Sequence, residues 1–360
     1  MKICLIGQNL TNLILALAIA EKKLPVEIYL NKKIKKRSTN RTIAISSGNF
    51  KFVKYLARTT LPSWTTNEIK IFIENSKTKE IINFKQKNKE VFNLISYSNL
   101  NTVFLKKIFK SKYIKLKKVN TSSNSLINKI KNYDLVINSE NNNILSKKYF
   151  TKKLTKNYKS TAFTFLIEHK KISNKTALQI FTNYGPLAFL PVSDTKTSIV
   201  FSYMGKEKEN DKILSLFKKY NYFYKVNKIH NIEKFGLDFS FLRNYTHNNI
   251  LAFGDLIHRI HPLAGQGFNM TIRDIIELDK ILEKKLNLGL NIDKHAIHEF
   301  EKQVKSYNSI FSFGIDFIHE FFIFDKKFIP KKISKLFFNY INRSSKIKNL
   351  GIKIANQGTV

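Results

Sequence analysis

The residues best placed to do chemistry lie between Gly254 and Asn269, in the run GDLIHRIHPLAGQGFN. The run follows an apolar strand-like segment, 250–254, and precedes helical periodicity over 266–286. Asp255, at the strand end, can accept a hydrogen bond from a ligand hydroxyl. Gly265 and Gly267 supply a turn whose N–H groups face outward. The helix that follows points its positive end at the same place, where it stabilises negative charge growing on a bound group. The competing structural reading makes Asp255 a helix cap and the glycines an ordinary turn. The run holds two histidines, His258 and His261; a lone His is more often structural than catalytic, and His261 reads as loop structure.

A weaker constellation sits at Gly7-Gln8-Asn9-Leu10-Thr11-Asn12. A dinucleotide-binding turn wants glycine at the first, second and third marked places of G-x-G-x-x-G. These glycines allow a tight turn, close approach of backbone to the diphosphate, and packing of helix on strand. Only Gly7 is kept. Asn9 is expected to hold the turn through its tolerance of positive φ, with its side chain crowding the phosphates. Asn31 stands where an acidic residue would bind ribose hydroxyls. On these residues alone the turn reads equally as a nucleotide site and as a plain βαβ connection. Asp255 and Glu140 are too far apart in sequence to be read as an acid–base pair, and no Cys/His spacing predicts a metal.

These residues need a frame. Residues 2–6, 12–22 and 26–30 read as strand, helix and strand of a βαβ unit, and 133–137 and 250–254 as further buried strands. Residues 41–57 read as a short extended piece, a turn at Ser47-Gly48 and a helix, and 99–110 as another helix. Segments 69–75, 80–84, 160–168, 176–182, 187–192 and 198–203 alternate as an antiparallel sheet would. From about 295 to 349 the chain reads as helical and rich in Phe and Ile. The expected fold class is therefore α/β. A Rossmann-like nucleotide-binding domain (1–68, 99–150 and 245–290) is interrupted by an antiparallel-sheet domain (69–98 and 151–244), with a helical C-terminal region (291–360).

Composition narrows the classes. The 360 residues are 43% hydrophobic and carry a formal net charge of +37. That charge is spread along the chain, which suits an A+T-rich codon bias better than nucleic-acid binding and leaves weak attraction to anionic membrane in place. The lone Cys4 lies in a predicted core strand and allows no intrachain disulfide. No signal peptide and no membrane-spanning run is read, so a cytoplasmic protein is expected. Residues 309–329 form an amphipathic aromatic stretch, read as core packing or as a lipid-touching surface.

At this point the sequence resembles the UbiH/UbiF/COQ6 group of FAD-dependent ubiquinone-biosynthesis hydroxylases, relatives of para-hydroxybenzoate hydroxylase. The match to the group's GDAAHxxxPxxGQGxN pattern falls on Gly254, Asp255, His258, Pro262, Gly265, Gln266, Gly267 and Asn269, and continues into Arg273 and Asp274. Arg41-Thr42-Ile43-Ala44-Ile45-Ser46 resembles its R-x-x-A-L-S, whose Arg contacts the cofactor. Leu61-Pro62-Ser63-Trp64 sits near where the group has its L-G-x-W, Gly185–Pro191 resembles its G-P-x-A-x-L-P beside the substrate, and Ala355-Asn356-Gln357-Gly358 resembles its C-terminal end. The chain departs at Leu256-Ile257, where the group has Ala-Ala. It departs again at Asn138-Ser139-Glu140-Asn141, where the group has G-A-D-G serving both FAD and NAD(P)H.

The resemblance implies a Rossmann-like FAD-binding domain interrupted by a substrate sheet. It implies Gly7, Asn9, Asn12, Arg41, Glu140, Gly254, Asp255, Pro262, Gly265, Gln266, Gly267 and Asn269 around FAD, with His258 as a catalytic candidate. It also implies hydroxylation of a polyprenylated phenol with O2 and NAD(P)H. Contact with the inner face of the cytoplasmic membrane or with other ubiquinone-biosynthesis proteins follows from such a substrate, and no nucleic-acid partner does. A second reading is a non-catalytic relative acting as a scaffold, because three cofactor motifs depart from the pattern beside one that keeps it.

Overall fold

The computed structural model describes residues 1–31, 41–74, 80–85, 90–205 and 209–328, with the side chains of 264 and 322–328 left out of the description. The chain opens with β1 (Ile3–Ile6), α1 (Leu10–Glu21) and β2 (Val26–Asn31), followed by β3 (Thr42–Ser46), α2 (Ser47–Ala57), β4 (Ser63–Thr66), β5 (Glu68–Ile73), β6 (Ile82–Lys85) and β7 (Phe92–Ser96). Next come α3 (Tyr97–Lys110), β8 (Ile114–Val119), α4 (Ser125–Ile130), β9 (Leu135–Asn138), α5 (Ile144–Tyr149) and the long β10 (Lys153–His169). The meander β11 (Thr176–Thr182), β12 (Gly185–Pro191) and β13 (Lys196–Tyr203) leads to α6 (Asn210–Tyr220), β14 (Val226–Ile229), β15 (Glu233–Leu242), β16 (Thr246–His247), β17 (Ile250–Ala252) and β18 (His258–Arg259). Helices α7 (Gln266–Asn287) and α8 (Lys294–Phe328) finish the described chain.

Three sheets result. The first has the order β16-β17-β9-β1-β2-β8, parallel apart from the β16–β17 pair. Its central strands β1, β9 and β17 are buried along their whole length, as strands covered on both faces are, while β8 at the edge exposes lysines. The second runs β18-β15-β10-β13-β12-β11-β5-β6, with β14 beside β10. It is antiparallel except where β5 joins β11 in parallel register, Ile71 against Gln179. A third sheet, β3-β7-β4, takes Phe92–Ser96 to the side of Thr42–Ser46, a pairing that the sequence pattern does not reveal.

Helix α1 is buried from Leu10 to Ala20, as an all-round apolar helix must be, and it packs against α3, α7 and α2. In α7, Thr271, Ile275, Leu278 and Leu282 recur at helical spacing and form the buried stripe. In α8 the same spacing puts Ala296, Phe300, Val304 and Phe311 inside. Phe300 stacks on Phe253 with ring centroids 5.5 Å apart, which fixes α8 to the end of the first sheet. The stretch 309–329 divides between the two readings given to it. Phe311, Ser312 and His319 are buried, while Ile310, Phe313, Phe317 and Ile318 are exposed. The predicted helix beyond 328 and the Ala355–Gly358 segment lie outside the described residues. No described helix is long and apolar enough to cross a membrane.

Candidate active site

The Gly254–Asn269 run leaves the first sheet at β17 and returns to it as α7. Gly254, in a 3-10 turn with Asp255 and Leu256, adopts φ 60°. A side chain there would begin 3.2 Å from the Thr11 methyl, so this turn and the first turn of α1 meet. Asp255 is exposed beside the segment that follows β9, and its backbone oxygen accepts a hydrogen bond from Asn141 Nδ2 at 3.3 Å. Pro262 opens a second 3-10 turn that ends in Gly265 at φ 63°, the N-cap of α7. A Cβ at Gly265 would stand 3.1 Å from the Ala44 Cβ, so the left-handed backbone and the close neighbour both call for glycine. No side chain caps α7 and its first turn holds no acid. The half-exposed Gly265 and Gly267 thus present a helix N-terminus whose own side chains leave it open to a polar ring edge.

Asn269 holds this turn in place. Its fully buried carboxamide donates to Ala44 O (2.8 Å) and Gly265 O (3.1 Å) and accepts from Ser46 N (2.8 Å) and Asn49 Nδ2 (3.0 Å). It therefore locks α7 to β3 and α2 and acts behind the turn. Asn49, which also bonds Asn269 O at 3.1 Å, escapes sequence reasoning, since it lies just past the Arg41–Ser46 motif. Gln266 is buried and begins α7. Arg41 is exposed at the start of β3, where its backbone oxygen accepts from Tyr97 N at 2.8 Å.

His258 is buried, and its Nε2 lies 2.7 Å from Asp274 Oδ2 on α7. The other oxygen of Asp274 accepts from Asn308 Nδ2 of α8 at 3.0 Å. The three residues tie β18, α7 and α8 together, which makes His258 a positioning residue for the loop. Arg273 lies half-buried over the Phe311 ring, 4.6 Å from its centroid, and desolvation lowers its pKa to about 10. His261 packs against His319 of α8 with ring centroids 4.0 Å apart and meets the edge of Tyr158. Burial and then the neighbouring His319 push its pKa down to about 2, so it is neutral in the folded chain. Close by, Asp316, His319 and Glu320 offer ligand atoms within 4.8 Å of one another, but Lys156 Nζ already holds both carboxylates, at 3.1 Å from Asp316 Oδ2 and 2.9 Å from Glu320 Oε1.

The β1–α1 turn differs from expectation. Asn9 has φ −126°, so it does not supply the positive φ; Gly7 does, at 120°. The Asn9 side chain is spent on protein. Its Oδ1 accepts from Asn12 N at 3.0 Å, and its Nδ2 donates to Ser139 Oγ at 2.7 Å. Asn12, wholly buried, donates from Nδ2 to Gly7 O at 2.8 Å. The segment after β9 repeats the pattern. Asn138, where the first glycine of G-A-D-G would stand, donates to Ser146 Oγ at 2.8 Å and accepts from Asn143 Nδ2 at 2.7 Å. Glu140 lies against Gly7, with Cγ 2.5 Å from where a Cβ of Gly7 would be.

The large sheet completes the site. Phe163, Phe165, Leu187, Phe189, Ile199 and Phe201 face α6 and form one core. The opposite face, by strand alternation, carries Thr164, Val200, Ala188 and Gln179, aligned in one row across β10, β13, β12 and β11. Leu190 of this face packs in one cluster with Ala44 and Trp64. Since Ala44 touches the Gly265 turn, this face looks toward that turn. Thr164 Oγ1 is buried there with no hydrogen-bond partner among the described residues.

Comparison with known proteins agrees with this geometry. A family profile described as FAD binding domain matches residues 210–289, which contain the Gly254–Asn269 run. The mitochondrial ubiquinone biosynthesis monooxygenase COQ6 of Caenorhabditis elegans is 26% identical over 200 residues, 43% of this chain and 44% of that protein. Ubiquinone hydroxylase UbiL of Rhodospirillum rubrum is 25% identical over 150 residues, 38% of this chain and 34% of that protein. The matches thus span under half of each of these relatives. Among solved structures, p-nitrophenol 4-monooxygenase PnpA from Pseudomonas putida DLL-E4 superposes with a TM-score of 0.76 at 9% identity, covering 99% of this chain and 98% of that one. PqsL from Pseudomonas aeruginosa, a probable FAD-dependent monooxygenase, gives 0.70 at 13% identity, covering 91% and 98%. The chain has the fold of FAD-dependent aromatic monooxygenases. By sequence it is similar to ubiquinone-biosynthesis monooxygenases, the group that the Gly254–Asn269 motif resembles.

Proposed function

We propose that this chain hydroxylates the aromatic ring of a polyprenylated phenol in ubiquinone biosynthesis, using FAD, O2 and NAD(P)H. One observation carries the reading: the open N-terminus of α7, framed by left-handed Gly265, faces the sheet surface that carries Thr164, Val200, Ala188 and Gln179. The residues at this end fit a flavin ring. Gly265, Gln266 and Gly267 would hold the ring edge, Pro262 would flank it and Asp255 would bind the ribityl hydroxyls. FAD, when bound, supplies the redox chemistry between NAD(P)H and O2. The chain's own work is to orient the phenol over the row Thr164-Val200-Ala188-Gln179, with Thr164 Oγ1 as a hydrogen-bonding group for the ring hydroxyl, and to keep water out. Asn269 and the His258–Asp274–Asn308 chain keep the turn rigid.

The exposed Ile310, Phe313, Phe317 and Ile318 on α8, in a chain of net charge +37, suit peripheral contact with an anionic membrane, where a prenyl tail resides. A second reading, the scaffold without catalysis, draws on the Asn9, Asn12 and Glu140 departures. Purification separates the two. An active enzyme is yellow, oxidises NAD(P)H and converts a short-chain prenylphenol to its hydroxylated product. A folded, colourless protein that refuses added flavin would sink the hydroxylase assignment.

A further inference from the structure

We infer that the adenosine diphosphate half of FAD adds little to binding in this chain, which recognises the cofactor by its isoalloxazine and ribityl end. The inference rests on the flavin reading above and deepens it.

A diphosphate is ordinarily held over the first turn of α1, by free N–H groups, by the helix dipole and by backbone that glycines allow to come close. The N–H groups and the glycines are altered here. The N–H of Asn12 is already taken by Asn9 Oδ1 at 3.0 Å. The rest of the Asn9 side chain reaches across to Ser139, bonding its Oγ at 2.7 Å and its backbone oxygen at 3.3 Å. That pair of bonds stitches the β1–α1 turn to the segment after β9, the two edges between which the diphosphate would lie. Glu140 then lies over Gly7: its Oε1 is 3.2 Å from where a side chain at Gly7 would begin. Glu140 is one methylene longer than the Asp of the group's G-A-D-G, and its side chain fills the space over Gly7 that a diphosphate would need. Asn31, at the end of β2, replaces the acid that would accept ribose hydroxyl protons.

The other end is different in kind. Gly254 and Gly265 keep positive φ, α7 is free of a side-chain cap, and Asn269 braces the turn with partners at 2.8–3.1 Å. The ring end is built while the diphosphate end is filled by the chain's own groups. One charge-assisted hydrogen bond to phosphate is worth about tenfold or more in affinity. Losing several of them should bring FAD down to near the affinity of riboflavin, which lacks the ADP half altogether.

The test is a titration of the flavin-stripped full chain with riboflavin and with FAD, read by quenching of flavin fluorescence. Dissociation constants within about tenfold of one another support the inference. Two variants sharpen it. Glu140→Asp shortens the side chain to that of the group's pattern, and Asn9→Gly frees the turn. Each should tighten FAD by about tenfold and leave riboflavin unchanged. Because Asn9→Gly also removes a helix cap, its circular dichroism melt is compared with the parent, and Glu140→Asp stands alone if that variant unfolds. FAD binding at least a hundredfold tighter than riboflavin in the parent chain overturns the inference and leaves the flavin site standing. Failure of both ligands to bind overturns the inference together with the flavin reading.

Discussion

Asn269 shows what a single side chain does in this site. Its carboxamide is matched on both sides, two donors and an acceptor set against backbone and against Asn49, all out of water. Removing it strands several buried partners at once. Asn269→Ala should therefore lower stability by about 2–4 kcal/mol, read from urea unfolding, and should weaken flavin binding by letting the Gly265 turn drift. An unchanged unfolding midpoint would show that the bracket carries no weight. The asparagines that replace expected glycines behave alike: Asn9, Asn12 and Asn138 all turn their amides inward to bond neighbouring backbone or side chains. Sequence exposed the loss of glycine at these places. It could not show that each new side chain would find a partner within the protein, because such a partner can come from a segment more than a hundred residues away, as Ser139 does for Asn9.

At the scale of elements, the site depends on α7 and α8 being held to the ends of the first sheet. Phe300, fully buried on Phe253, is one anchor of α8. Phe300→Ala should cost about 3–5 kcal/mol, visible as an early unfolding transition in denaturant. A loss below about 1 kcal/mol would mean that α8 is held elsewhere. The strands and helices themselves were largely legible. The βαβ start, the buried strands near 135 and 250, and the meander from 176 to 203 follow from apolar runs and alternation, and the structure moves their bounds by only a few residues. Less legible were β15, which pairs along β10 from Lys153 to Thr164, and β7, whose partners are β3 and β4. A strand's face shows in its own sequence, but its neighbour is chosen by the whole sheet.

At the scale of the molecule, two features govern behaviour in solution. The first is the neutral His261 of the Gly254–Asn269 loop, packed on His319 of α8. Its folded pKa, about 2, lies below the ordinary 6.5. Below pH 6.5 the unfolded chain takes up a proton that folded His261 refuses, so stability falls as pH drops from 6.5 toward 2. Between about pH 7 and 5.5 this site alone should remove about 1 kcal/mol. Unfolding curves at the two pH values measure it, and His261→Phe should flatten the difference; an equally steep loss in that variant would place the proton elsewhere. The second feature is the exposed apolar face of α8 in a strongly basic chain. Sedimentation with anionic vesicles should be salt-sensitive and should fall when Phe317 and Ile310 become Ser, while neutral vesicles should retain little protein. Equal binding to both vesicle types would remove the membrane reading.

By itself the sequence determined the class of the protein: an α/β nucleotide-binding frame, a second sheet inserted in it, and one glycine-rich turn opening a helix at a strand end. Those are local properties, set by hydrophobic period and by backbone conformations that glycine favours. The tertiary structure alone decided which groups meet. It set Glu140 against Gly7, turned Asn9 away from positive φ and onto Ser139, buried His258 on Asp274, and aimed the Thr164 face of the large sheet at the Gly265 turn. Such contacts join segments far apart in the chain, and their partners are fixed only when the sheets close and the helices pack over them.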